Sequence, residues 1–405
     1  MKNILTNDIN RKFSLIATVL LIVAFYVFEN GTWGNYIVAA CSVLIFFFGV
    51  LCRFRVSGRV IKPFYLYIFF FAAFCFLSTL WSWDPDESLL KARRIFLILL
   101  FLGMVYSYYE REESIDSLLN CILWGGYLSM IYAFYLYGGV GNVLEHVVNN
   151  SRLPNLEFLN VNVLGISGAI TCLLQIYKII YEKNAKSAIF MIPTFVIIAV
   201  TQSKKAILLL CIGIVLLVLF KKSSSNKRYM AGVVYIVLLL AIGYFVLSSD
   251  LFSGVSERIS KMLSTIFGES SDGDISTEAR LDFIKLGLKQ FLETPVFGIG
   301  VGSSGALIFE NYGFETYLHS NYVELLASGG LVGFSLYYSM YVYLLYNLIK
   351  YRNYDSKHSD VCIVLAILLL LMDVALVSYT FKIQYFYLMV LFIQVKNIKR
   401  KAMNG

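Results

Sequence analysis

Long apolar runs separated by short polar breaks dominate the chain. A membrane-crossing helix needs roughly 20 mostly apolar residues. That window predicts twelve spans, near 13–29, 34–52, 63–81, 94–109, 118–138, 161–180, 188–202, 205–220, 229–247, 319–348, 361–380 and 384–395. The seventh, eighth and last are short. The first run, Phe13 to Phe28, leads directly into the second span with no small-residue cleavage site between them, so it reads as a retained helix.

Placing the N-terminus in the cytoplasm puts 22 of the 34 Lys and Arg residues in the inside connections, as the positive-inside bias requires. Both termini are then cytoplasmic. One connection, 248–318 between the ninth and tenth spans, is long enough to hold structure of its own and falls on the extracytoplasmic face. Within it, Ala279 to Leu292 predicts an amphipathic helix with Leu281, Ile284, Leu288, Phe291 and Leu292 on one face. Ser276 or Thr277 can cap it and Pro295 stops it, which suits a helix lying along the membrane surface.

Composition agrees with this layout. The chain is 59% hydrophobic and only 15% charged, far from the balance of a soluble domain. Five prolines and seven cysteines exclude a collagenous, Pro-rich or disulfide-stapled chain, and the cysteines lie in or at the ends of apolar runs, as packing thiols do. The net charge of +8 reports orientation rather than a nucleic-acid partner. No internal repeat and no second soluble domain are evident. The fold class is an all-α polytopic membrane protein, a single integral membrane domain over 1–405.

Candidate chemistry lies with basic residues on the side the charge rule disfavours: Lys91, Arg93, Arg94, Arg152, Lys204, Lys205 and Arg280, with His319 beside Asn321 and Glu324. Arg152 sits in a polar turn before the sixth span, whose start carries Asn160 and Asn162. A guanidinium there suits bidentate capture of a phosphate or carboxylate, and headgroup snorkelling is the plainer alternative. Thr201-Gln202-Ser203-Lys204-Lys205 breaks two short spans, either as a cavity lining or as an interfacial turn. Arg280 opposes the dipole of the helix it opens, so helix stability does not explain it, although an ion pair with Glu278 or Asp282 would. On a continuous helix His319 and Glu324 would lie at neighbouring angles, and a histidine can exchange a proton at neutral pH. His146 and His358 have no such company in the sequence.

Gly300-x-Gly302-x-x-Gly305 matches a dinucleotide fingerprint by letter, but no βαβ unit surrounds it. The basic loop from Arg53 to Arg59 lacks the acidic residue of the transporter motif it is close to, and anchoring explains it. Asp84-Pro85-Asp86 fits a simple turn as well as a metal site. Asp373 is the one clear mid-span charge, read as a buried, hydrogen-bonded side chain.

Taken together, these segments resemble the O-antigen ligase / O-antigen polymerase (Wzy) superfamily of bacterial inner membranes. The resemblance covers roughly residues 75–340. It rests on Trp81-Ser82-Trp83-Asp84-Pro85 with Ser88-Leu89, Arg152 with Asn160 and Asn162, and Thr201-Gln202-Ser203-Lys204-Lys205-Ala206. Its most specific part runs from Arg280 through Pro295-Val296-Phe297-Gly298-Ile299-Gly300 to His319-Ser320-Asn321-Tyr322-Val323-Glu324 and Gly329-Gly330-Leu331-Val332-Gly333. Lys204 and Lys205 stand where the family usually has Arg, and Ser320 is inserted in its His-Asn pair.

The resemblance implies a GT-C-like fold in the inner membrane with a periplasmic active face. It implies polymerisation of undecaprenyl-diphosphate-linked oligosaccharide units into O-antigen or capsule, with no metal, nucleotide or other cofactor. Arg152, Lys204, Lys205 and Arg280 would hold the diphosphate, and His319, Arg280 and Glu324 would be catalytic. Asn160, Asn162 and Asn321 would meet the substrate or acceptor. Besides the lipid-linked glycan and membrane lipids, a chain-length regulator is implied as a partner. Ligation of glycan to lipid A-core, or transport by a multi-span carrier or flippase, are the alternatives.

Overall fold

The computed structural model describes residues 2–29, 31–52, 62–184, 188–221 and 275–404, and among these every regular element is helical. In chain order they are α1 (Lys2–Val27), α2 (Thr32–Cys52), α3 (Pro63–Ser78), α4 (Pro85–Tyr109), α5 (Asp116–Leu136), α6 (Val140–Val148), α7 (Val161–Glu182), α8 (Met191–Thr201) and α9 (Lys204–Phe220). Then follow α10 (Ile275–Glu293), α11 (Ser304–Tyr312), α12 (Asn321–Lys350), a 3-10 turn (Arg352–Tyr354), α13 (Ser356–Asp373) and α14 (Lys382–Asn404). Five of the described helices, α1, α2, α5, α7 and α12, are long and apolar enough to cross a membrane. The predicted span at 229–247 lies outside the described residues. The predicted seventh span proves to be α8, with 11 residues. At 1.5 Å per residue it covers about half of a ~30 Å hydrocarbon layer.

Large apolar side chains such as Phe47, Phe69, Phe70 and Ile131 point outward from these helices, as lipid requires. The helix buried on all sides is α14, where every residue from Gln384 to Val395 is inside the bundle. That explains why its apolar run is short but has no polar face: it is surrounded by protein. Its own Tyr385 and Phe386 are fully buried, as are Phe25, Phe71, Tyr337 and Tyr341 on other helices.

One end of the bundle is laced by ion pairs: Lys62–Glu110, Arg11–Glu112 at 3.6 Å, Arg400–Glu113 at 3.3 Å, Lys401–Asp355 at 2.6 Å and Lys357–Glu182 at 2.9 Å. These residues belong to connections that the charge pattern predicts on a common face. His358 also sits here, 2.9 Å from both Asp116 and Asp355, so it has the acidic company its sequence neighbours hide.

The opposite end is organised by a break in α12. Gly330 has φ 61° and ψ −166°, a geometry only glycine adopts without strain. The loop after α10 lies in the break and exchanges backbone hydrogen bonds with it. Leu331 N–H donates to the Pro295 carbonyl at 2.8 Å and Val332 N–H to Val296 at 3.1 Å. In return, Ile299 N–H donates to Ala327 at 3.1 Å and Gly300 N–H to Ser328 at 2.9 Å. A β-carbon on Gly330 would lie 2.4 Å from the Val296 backbone. The glycines of the Gly300-x-Gly302 run are therefore architectural. The 79–84 turn is layered on top: Trp83 N–H donates to the Ile299 carbonyl at 3.1 Å and the Ser82 and Ser303 hydroxyls meet at 2.7 Å. Asp84 is the cap of α4, its carboxylate accepting Glu87 N–H at 3.0 Å.

The amphipathic helix docks differently from expectation. Phe283 is buried in a small core with Ile308, Leu318, Val323 and Ala327, while Leu288 and Leu292, on the predicted apolar face, are exposed. The reason is a second stripe, Phe283, Gly287 and Gln290, on which the bare Gly287 lets α10 approach Leu318 and Val323 closely. The helix also already runs at Ile275, so Ser276 and Thr277 lie within it rather than capping it.

Replacing Gly330 by Ala forces both a strained dihedral and a backbone clash and should cost about 3 kcal/mol or more. Gly141→Ala, in open space inside α6, is the control and should leave stability unchanged or raise it by up to ~1 kcal/mol. Thermal unfolding of both variants in the same detergent checks this. Equal midpoints would contradict the account of the break.

Candidate functional site

Two groups of the sequence-predicted residues assemble at the broken end of α12. The first is built on the start of α7. Asn160 caps that helix, accepting Asn162 N–H at 2.8 Å, and Asn155 accepts Val161 N–H at 3.0 Å. Asn162 turns its carbonyl oxygen to Arg152 Nη2 at 2.8 Å, and Arg152 Nε donates to the Thr201 carbonyl at 3.0 Å. Gln202, left-handed at φ 46°, ends α8 and holds the Asn150 carbonyl at 3.0 Å, and Ser203 caps α9. Arg152 thus pins the polar turn to the α8–α9 break. Arg152 spends Nε and Nη2 on this contact, and Asn160 and Asn162 each give their carbonyl oxygen to holding the turn.

The second group surrounds His319. This residue precedes α12 with φ 61°, so the helical spacing argument that paired it with Glu324 does not apply. The two are joined through the backbone instead. Buried Glu324 accepts the Leu318 N–H at 3.2 Å and the Ser304 hydroxyl at 2.6 Å, fixing the residue immediately before His319. The imidazole lies between Phe283, stacked at 5.9 Å, and Tyr317 at 4.2 Å. Ser304, Tyr317 and Phe283 carry no sequence signal that marks them as partners of the histidine.

Lys205 and Arg280 complete this group, both within electrostatic reach of His319 and of each other. Lys205 Nζ donates to the Ala375 carbonyl, and exposed Arg280 stands in the second turn of the described part of α10. Lys204, beside Lys205 in the first turn of α9, is half-buried. Burial, then the charges of Arg280 and Lys205, push the His319 pKa from 6.5 down to about 4. The imidazole is therefore neutral at pH 7, able to take a proton, in a field that favours a nearby anion.

Asn321 behaves otherwise than a sugar-binding amide. Its Nδ2 donates to Tyr338 at 3.0 Å and to Asp373 at 3.2 Å, and its Oδ1 accepts Ser378 N–H at 2.9 Å and Tyr379 N–H at 3.0 Å. All four of its hydrogen-bonding positions are filled by protein. It clamps the α13–α14 connection to the start of α12. Asp373, fully buried, accepts from Asn321, from Tyr338 at 3.1 Å and from Ser378, which fits a structural carboxylate.

The described helices thus bring Lys205, Arg280 and a neutral histidine together near the start of α12. Residues 189–338 match the family model described as O-antigen ligase. That stretch contains Lys204, Lys205, Arg280, His319, Asn321 and Glu324. Arg152, Asn160 and Asn162 precede it. No curated protein matches the chain.

Because His319 stays neutral to about pH 4, the acid limb of kcat/KM should lie near that value rather than near 6.5. As pH falls through it the imidazole gains its proton and the base is lost. Arg280→Ala removes one of the cations that depress the pKa, so in the residual activity the limb should move upward. An acid limb at 6.5 in the parent protein would refute the geometry. Glu324→Ala leaves the Leu318 N–H and the Ser304 hydroxyl unpaired, each worth about 1–3 kcal/mol, and should lower both the unfolding midpoint and kcat.

Proposed function

We propose that the protein polymerises lipid-diphosphate-linked oligosaccharide units into a surface polysaccharide at the extracytoplasmic face of the bacterial inner membrane. The observation that carries this reading is the gathering of neutral His319 with Lys205 and Arg280. In the reaction, a hydroxyl oxygen of the acceptor sugar attacks the anomeric carbon of the donor. The new C–O bond forms as the bond to the diphosphate breaks. The hydroxyl proton goes to His319, and the electron pair of the broken bond leaves on the diphosphate oxygen. Arg280 and Lys205, with Lys204 beside them, stabilise that anion, which is where a phosphate leaving group needs help.

Arg152 adds its charge nearby and holds the α8–α9 break in register. Glu324 and Asn321 act as positioning residues, Glu324 through the Leu318 N–H and Asn321 through the connection that bears Ala375. The description of the matching family favours a second reading, ligation of finished glycan to a lipid A-core acceptor. A chain-length regulator belongs to the polymerase reading alone.

The test is purified protein in nanodiscs with undecaprenyl-diphosphate-linked repeat units from the host as the sole substrate. A ladder of multiples is expected. Arg280→Ala and His319→Ala should each reduce it by about 100-fold or more, the range for loss of an electrostatic or acid–base contact. A single shifted glycolipid formed only when lipid A-core is supplied would replace polymerase by ligase. Loss of glycan production in Asp373→Asn alongside full activity in Arg280→Ala would replace transfer by transport.

A further inference from the structure

A second cationic site lies at the same end of the bundle, away from the α10–α12 face. There α2, α4 and the head of α14 enclose a cavity of about 480 Å3. Its floor is apolar, with Phe25, Val38, Leu97 and Phe101, and its rim carries Lys91, Arg93, Arg94 and Lys382. Lys91 pairs with Glu87 at 2.9 Å, and Lys382 lies 3.8 Å from the Glu29 carboxylate. Arg93 and Arg94 are exposed and have no ion pair among the described residues. Four cations face two carboxylates, so the rim keeps two positive charges in excess.

This combination selects its occupant. Two guanidiniums lining one cavity suit the oxygens of a phosphate. An apolar floor below them has no use for a soluble anion but suits a hydrocarbon chain. Headgroup snorkelling alone would send these side chains outward, whereas both line the concavity. The cavity is tied to the start of α12 through its rim: Lys382 opens α14 directly after the Ser378–Tyr379 segment, whose N–H groups donate to Asn321 Oδ1 at 2.9 and 3.0 Å.

We propose that this cavity seats the phosphate headgroup and proximal chain of a second membrane lipid, the lipid-linked acceptor, while the donor diphosphate occupies the Lys205–Arg280 side. The assignment of acceptor rests on the transferase reading above; the lipid site itself does not.

Native mass spectrometry of the full chain with undecaprenyl diphosphate as the probe tests it, with inorganic pyrophosphate as competitor. The parent protein should bind two lipids. Arg93→Gln/Arg94→Gln should retain one and bind the second about tenfold more weakly or worse, and Arg280→Ala should lose the other. Leu97→Trp, which fills the floor without touching the charges, should give the same loss as the double arginine variant and covers the case in which that variant fails to fold. Unchanged two-lipid binding in the double arginine variant and in Leu97→Trp would overturn the proposal. So would displacement of the cavity lipid by pyrophosphate, which would mark a site for free anions. If Arg280→Ala binds two lipids while the cavity variants bind one, the cavity stands and the donor assignment falls.

Discussion

The exchange of backbone hydrogen bonds between the α12 break and the loop after α10 is the constraint from which the rest of this end of the molecule follows. An interrupted helix inside a membrane protein exposes N–H and C=O groups that lipid cannot satisfy. Here residues 295–300 supply the partners, and the loop is thereby fastened to the helix at both its edges. That attachment carries α10 to its dock on α12 and gives the 79–84 turn a surface to rest on. His319 lies just ahead of α12, between Ser320, which precedes the helix, and Leu318, whose N–H is held by Glu324 of the same helix.

Electrostatics then supplies what packing cannot. Lys205 and Arg280 stand near one another, and burial, reinforced by their charges, keeps His319 uncharged. Like charges so arranged weaken the empty protein and are relieved when an anion arrives. A diphosphate would bring more negative charge than one cation can balance, which gives the grouping its sense. The bound anion would in turn raise the basicity of the imidazole at the moment a hydroxyl proton must be accepted.

Much of this was legible in the sequence. The cations on the disfavoured side of the charge pattern pointed to Lys205, Arg280 and His319, and the same pattern flagged Lys91, Arg93 and Arg94 without giving them a task. What escaped was anything set by a turn or a tertiary contact. Helical spacing pairs His319 with Glu324, but His319 is left-handed and lies outside the helix, so the link runs through the Leu318 backbone. The role of Asn321 depended on where the α13–α14 connection passes, which no local pattern records. The face by which α10 docks differs from the expected one because its apolar residues form two stripes, and the bare Gly287 decides which touches protein. Lys382 shares the second cavity only because α14 lies buried at the centre of the bundle.

The tie between Lys205 and the Ala375 carbonyl bears on the choice of side chain at that position. An ammonium has three donors in a tetrahedral array and no preferred plane. One can stay on the carbonyl while the others turn toward an incoming oxygen, so anchoring and ligand binding do not compete. A planar guanidinium held at the same carbonyl would have its remaining donors confined to the plane of the fork, aimed wherever that carbonyl dictated. Where the anchor and the ligand lie in different directions, the pivot suits lysine.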